Sequence, residues 1–130
     1  MHKLTALLIC CFALTYAPQG NAKSLCLGTF SNFTFNKEAG DLVGVEIKVV
    51  HSRLGYQGAI QFSEGEPGSL TVVPVKCDGT TLSFDVPAAD GNVAVHFEGK
   101  ISKAGLDGVF KYDSGASNHA TLPRRKGYWD

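Results

Sequence analysis

Apolar and polar residues alternate with a period of two along most of the chain beyond residue 22. Val43, Val45, Ile47 and Val49 fall on one parity, with Glu46 and Lys48 on the other. Gly58, Ile60 and Phe62 alternate with Gln57, Gln61 and Ser63, and Leu82, Phe84 and Val86 alternate with Thr81, Ser83 and Asp85. Val93, Val95, Phe97 and Ile101 alternate with His96, Glu98 and Lys100. Each run therefore has one apolar and one wet face, the pattern of a half-buried antiparallel strand. No window of helical periodicity long enough for a stable helix follows residue 22.

Turn dipeptides separate the runs: Leu54-Gly55, Pro67-Gly68, Asp78-Gly79, Asp90-Gly91, Ala104-Gly105 and Ser114-Gly115. Asp78-Gly79 is the strongest hairpin signal, because tight hairpins need positive φ and that dipeptide tolerates it. The spacing predicts eight strands, at 27–36, 42–51, 56–63, 70–77, 81–87, 92–101, 106–112 and 117–122. Short connections make them an antiparallel meander. The expected architecture is all-β, an eight-stranded up-and-down barrel, closed or nearly closed, since closure removes both sheet edges. A two-sheet β-sandwich is the alternative.

Residues 1–22 have a different pattern. A short basic start (His2, Lys3), an apolar run from Leu4 to Ala17 and a small-residue exit at Gly20-Asn21-Ala22 form the three-part secretory signal. The run is short for a membrane span. The predicted organisation is a signal peptide at 1–22 and one domain at 23–130, exported to the periplasm or secreted. Two of the four cysteines, Cys10 and Cys11, leave with the signal. Cys26 and Cys77 remain with only each other as partners in an oxidising compartment, so a disulfide is expected, with two buried free thiols as the alternative. Alternating strand directions bring both to one end of a barrel.

Charge balances at 12 basic against 12 acidic residues, which removes the positive field a generic nucleic-acid binder needs. The charges are nonetheless segregated. If strands alternate up and down, one set of connections holds Glu38, Asp41, Glu64, Glu66, Asp90 and Asp113 against Lys37. The other end collects Lys23, Arg53, Lys76, Lys103, Arg124, Arg125 and Lys126 against Asp78 and Asp130. Such a field steers partners.

Gly40-Asp41-Leu42-Val43-Gly44-Val45-Glu46-Ile47, Gly55-Tyr56-Gln57, Gln61-Phe62-Ser63-Glu64-Gly65-Glu66-Pro67 and the ending Lys126-Gly127-Tyr128-Trp129-Asp130 resemble a group of small exported bacterial proteins without an assigned activity. Val95-His96-Phe97-Glu98-Gly99-Lys100-Ile101 and Gly105-Leu106-Asp107-Gly108-Val109-Phe110 are more loosely similar to lipocalin-like (calycin) barrels. The chain departs from lipocalins in its short strands and in having Gly28-Thr29-Phe30 where a Gly-x-Trp would stand.

Catalytic signatures are weak. No Gly-x-Ser-x-Gly elbow exists, His51, His96 and His119 lack metal-ligand spacing, and Glu64 with Glu66 reads as a soluble loop before it reads as an acid–base pair. No catalytic residue, metal or cofactor is therefore assigned, and the chain is read as a binding module without enzymatic activity. Phe62, Phe84, Phe97, Phe110 and Tyr112 share the inward parity, with glycines 58, 99 and 108 leaving room beside them. With strands this short they are expected to fill the core; in the alternative arrangement they are the candidates for lining a cavity that holds a small apolar ligand. The six carboxylates Glu38, Asp41, Glu64, Glu66, Asp90 and Asp113 are the rim-loop candidates for an exported protein partner, in the manner of a periplasmic hydrolase inhibitor. Tyr128 and Trp129 are expected to plug the opposite opening.

Overall fold

The computed structural model describes residues 23–127. The signal peptide expected at 1–22 and the aromatic plug at Tyr128 and Trp129 lie outside the described residues. A 3-10 turn, Lys23–Cys26, leads into ten strands: β1 Gly28–Ser31, β2 Thr34–Asn36, β3 Asp41–Ser52, β4 Gly55–Gly65, β5 Pro67–Pro74, β6 Lys76–Cys77, β7 Thr81–Val86, β8 Val95–Ile101, β9 Gly105–Tyr112 and β10 Ser117–Pro123. All pairings are antiparallel. The strands exceed the eight predicted because two segments divide. The first breaks at Asn32, whose side-chain oxygen accepts the Val45 N–H at 2.8 Å. The fourth breaks at Val75.

The strands form two five-stranded sheets, β1-β3-β4-β5 with β2 also on β3, and β10-β9-β8-β7-β6. The closed barrel is therefore corrected to the two-sheet arrangement, and the register supplies the reason. The Val75 N–H donates to the Tyr56 carbonyl at 3.0 Å. Pro74, Val72 and Leu70 consequently turn their backbone groups away from β4, because these groups alternate sides along a strand. On β7 the Thr80 carbonyl accepts the Ile101 N–H at 2.9 Å, so Ser83 and Asp85 face away from β8. Pairing of β6 with β7 starts well, at Cys77–Leu82 and Lys76–Ser83. Continued upward, the next two bonded pairs would be Pro74 with Asp85 and Val72 with Pro87. Each contains a proline where an N–H must donate, so each keeps at most one hydrogen bond. There the chain leaves one sheet for the other, and the two sheets part.

The inner faces share one core, from Phe30, Val45, Ile47, Val49, Ile60, Val73 and Val75 on one sheet to Leu82, Phe84, Val95, Phe97, Ile101, Leu106, Phe110, Ala120 and Leu122 on the other. Val43 departs from its expected inward role. It lies beyond Gly44 (φ 122°) and is exposed, while Leu42 is buried.

The hairpins β3–β4 and β8–β9 are the same unit repeated fifty residues apart. Val45, Ser52, Gly55 and Gly58 recur as Val95, Ser102, Gly105 and Gly108, and the pairing of Ser52 with Gly55 is matched by the Ser102 N–H donating to the Gly105 carbonyl. In both turns the serine hydroxyl accepts the N–H two residues on (Leu54, 3.1 Å; Ala104, 3.2 Å) and donates to the glycine carbonyl. The strand orders β1-β3-β4-β5 and β7-β8-β9-β10 then match position by position.

At the end bearing these turns, Cys26 and Cys77 form the expected disulfide, with Cα atoms 6.0 Å apart; the bond fits an oxidising compartment. The Asp78-Gly79 hairpin forms with a shifted frame. Gly79 (φ 89°) and Thr80 occupy the loop, and the Asp78 carboxylate accepts the N–H groups of Thr80 and Thr81. Those backbone bonds, Thr81's first, hold its pKa below the ordinary carboxylate value.

Candidate functional site

Where β5 and β7 part, an open cleft of about 470 Å³ lies between the two sheets. One wall is the upper part of β4 and β5: Phe62, Glu64, Gly68, Ser69 and Thr71, with Glu66 in the turn that joins the strands. The other comprises Val86, Val95 and Tyr112 with the loop Pro87, Ala89, Asp90, Asn92 and Val93. Phe62 and Tyr112 are equivalent positions of the repeated hairpin, so each copy supplies one aromatic to the floor.

Local backbone chemistry shapes both walls. Pairing between β4 and β5 shifts register between Gln61 and Ser63, a bulge beside the site. The Gln61 side-chain amide donates to the Gly68 carbonyl at 2.9 Å, and a Cβ at Gly68 would meet the Phe62 carbonyl oxygen at 2.7 Å. The Ser63 hydroxyl lies at 2.5 Å from the Leu42 carbonyl and 2.8 Å from that of Glu66, which fixes the acidic turn. Opposite, Ala89 and Asn92 exchange backbone hydrogen bonds around Asp90 (φ 51°) and Gly91 (φ 81°). Positive φ at both loop residues is a type I′ turn, the form that fits strand twist. The Ser69 hydroxyl points across the mouth to the Asp90 carboxylate, 3.4 Å away.

The candidates for lining a ligand cavity divide into two groups. Phe62 and Tyr112 face the cleft. Phe84, Phe97 and Phe110 do not: they are buried and pack on one another, with ring centroids 5.1 Å (Phe84–Phe97) and 4.6 Å (Phe97–Phe110) apart. The room at Gly99 and Gly108 is taken by the Phe97 ring, whose Cζ would lie 2.9 Å and 2.6 Å from a Cβ at either position. Val75 takes the room at Gly58, 2.8 Å from such a Cβ. The interior is thus a packed core, and the open volume lies at the margin of the sheets.

Of the six rim carboxylates, Glu64, Glu66 and Asp90 border the cleft. Glu38 and Asp113 in turns and Asp41 at the start of β3 stand at the same end, since Leu42 pairs with Gly65 and Val95 with Tyr112, but outside the cleft. No lysine or arginine is among the described residues that line it. The disulfide end carries Arg53, Lys103, Arg124, Arg125 and Lys126.

The histidines pair elsewhere. His96 Nδ1 lies 2.7 Å from Asp85, with Glu98 3.8 Å from Nε2, and His119 Nε2 lies 2.8 Å from Asp107, all on the outer face of the second sheet. The Thr121 hydroxyl and then His119 hold the Asp107 carboxyl below its ordinary pKa. Among the described residues no group of three His, Cys, Asp or Glu is arranged to hold a metal ion. No family model matches the sequence, and neither a curated protein nor a solved structure matches it.

Proposed function

We propose that this chain is a small exported binding module, without enzymatic activity, that takes its ligand in the cleft between the two sheets. The cleft itself carries the reading. It offers apolar surface from Phe62, Val86, Val93, Val95 and Tyr112 beside the carboxylates of Glu64, Glu66 and Asp90, and no basic residue offsets them. A ligand that fits such a lining has an apolar body and a positive charge. The packing of Phe84, Phe97 and Phe110 favours this site over the interior as the place of binding. The disulfide and the three-part start of the sequence support export.

Titration with hexylammonium, hexanol and hexyl sulfate, followed by amide chemical shifts, tests the reading. Hexylammonium should move residues 62–71 and 86–95 most, hexanol weakly and hexyl sulfate least, with the order compressed by salt. Equal response to all three, or none at these residues, would overturn it.

A further inference from the structure

The cleft has a second property that a site for a small amine does not need: one wall ends in an unpaired strand edge. In the strand order β5 is hydrogen-bonded to β4 on one side only, and its other side faces β7 and the Asp90 loop across the cleft. The alternation established above points the N–H and C=O of Leu70 and Val72 toward that free side. The side chains of the same residues stand on the outer face, 63% and 62% exposed, among the most exposed large apolar residues described. The opposite parity, Ser69 and Thr71, faces the cleft.

Resting on the proposal that the cleft is the binding site, we infer that its partner is an extended, basic polypeptide segment that pairs with the free edge of β5. Strand addition satisfies the backbone groups of Leu70 and Val72, and alternate side chains of the added strand then fall on opposite faces. Those on the inner face enter the cleft and meet Glu64, Glu66 and Asp90, which selects lysine or arginine. Those on the outer face lie beside Leu70 and Val72, which selects apolar side chains. The partner is therefore an alternating basic and apolar strand. A second copy of this chain fits the place less well, because its own β5 edge reads Pro67-Gly68-Ser69-Leu70-Thr71-Val72-Val73-Pro74 and brings no basic side chain to the carboxylates. Pro67 and Pro74 bracket the edge and confine pairing to the residues between them.

The test uses an acetylated, amidated peptide of alternating lysine and valine, six residues long, and the same peptide N-methylated at alternate positions. Binding is read by calorimetry and by the amide shifts of residues 67–74. The unmodified peptide should bind, and the methylated one should lose at least about tenfold, since its charge is intact and its strand edge is blocked. Val72→Pro removes an edge donor that β4 does not use, and should weaken the peptide by about tenfold while leaving hexylammonium binding unchanged. Replacing Glu64 and Glu66 with Gln should weaken both probes and flatten their salt dependence. If hexylammonium binds but the peptide does not, or if methylation has no effect, strand addition is wrong and the cleft reading survives. If neither probe binds, both fail. A dimer in sedimentation that Val72→Pro dissociates would place a second copy on the edge and overturn the inference.

Discussion

The two junctions between the sheets use the same geometry and fasten it differently. In one, β5 runs on into β6, which pairs with β7 at Lys76–Ser83 and Cys77–Leu82. In the other, the chain after β10 reaches back to β1 through an Arg124–Phe30 bridge and the Arg125 N–H on the Thr29 carbonyl. The first is secured through Cys77. The second is secured by the Arg124 guanidinium, which donates to the carbonyls of Leu25, Leu27 and Ser102 and lies 4.6 Å from the Phe30 ring centroid. Partial burial lowers the pKa of that guanidinium. The Cys26–Cys77 bond links the chain just before β1 to β6, so it spans both junctions. All of these fastenings lie at the basic end. At the acidic end the described residues offer the Ser69–Asp90 hydrogen bond across the first junction, which opens there into the cleft.

The comparison can be broken most strongly at the shared fastening. Replacing Cys26 and Cys77 with Ser should cost about 4 kcal/mol by urea unfolding, the loop-entropy value for a separation of 51 residues. Amide shifts around Phe62 and Tyr112 should change little in the folded variant. A loss below about 1 kcal/mol would mean that the arginine junction suffices alone.

The repeat supplies the next test. A Cβ at Gly108 would meet the Glu98 carbonyl oxygen at 2.4 Å and Gly99 Cα at 2.6 Å, both backbone. At the equivalent Gly58 it would meet only the ends of Val75 and Ile60. Gly108→Ala should therefore destabilise by about 3 kcal/mol and Gly58→Ala by about 1 kcal/mol, measured in the same way. Equal costs would show that the two copies are packed alike.

Arg124→Ala should cost about 2 kcal/mol, from its carbonyl partners and its ring contact. Arg124→Lys should recover less than half, because an ammonium cannot span carbonyls that a planar guanidinium reaches together. Full recovery by lysine would reduce the junction to charge alone.

The smallest expected effect addresses the open junction. Pro74→Val with Pro87→Val restores the two missing donors, so β5 and β7 can pair further. The amides of Val72 and Asp85 should exchange about tenfold more slowly, and hexylammonium binding should weaken as the cleft narrows. Unchanged exchange would show that something other than the prolines holds the sheets apart.

These contrasts also mark what a sequence reader can see. The strands were legible because antiparallel sheets wetted on one side impose a period of two, and Leu82, Phe84, Phe97 and Ile101 obey it. The disulfide followed from an isolated cysteine pair. The barrel failed on a finer matter. Pro74 and Pro87 are plain in the sequence, but their effect depends on which side of the strand each nitrogen faces, and that requires the register. The glycines left both a filled core and a cavity standing for a related reason: a missing Cβ reveals space without saying who fills it, and Phe97 fills the space at Gly99 and Gly108. Phe62 and Tyr112 shared the parity of the buried phenylalanines. Only the parting of the sheets separates the lining from the core.

The Arg124 contacts have a consequence for orientation. They bring residues 25–27 and 124 together, so both ends of the described chain leave the body at the pole opposite the cleft. Anything joined to either end, a surface or a neighbouring domain, would hold the molecule by its basic pole and present the acidic mouth outward. A force applied between the two ends would load the arginine junction before it reached the cleft. The proposed binding cleft and the described chain ends thus stand at opposite poles.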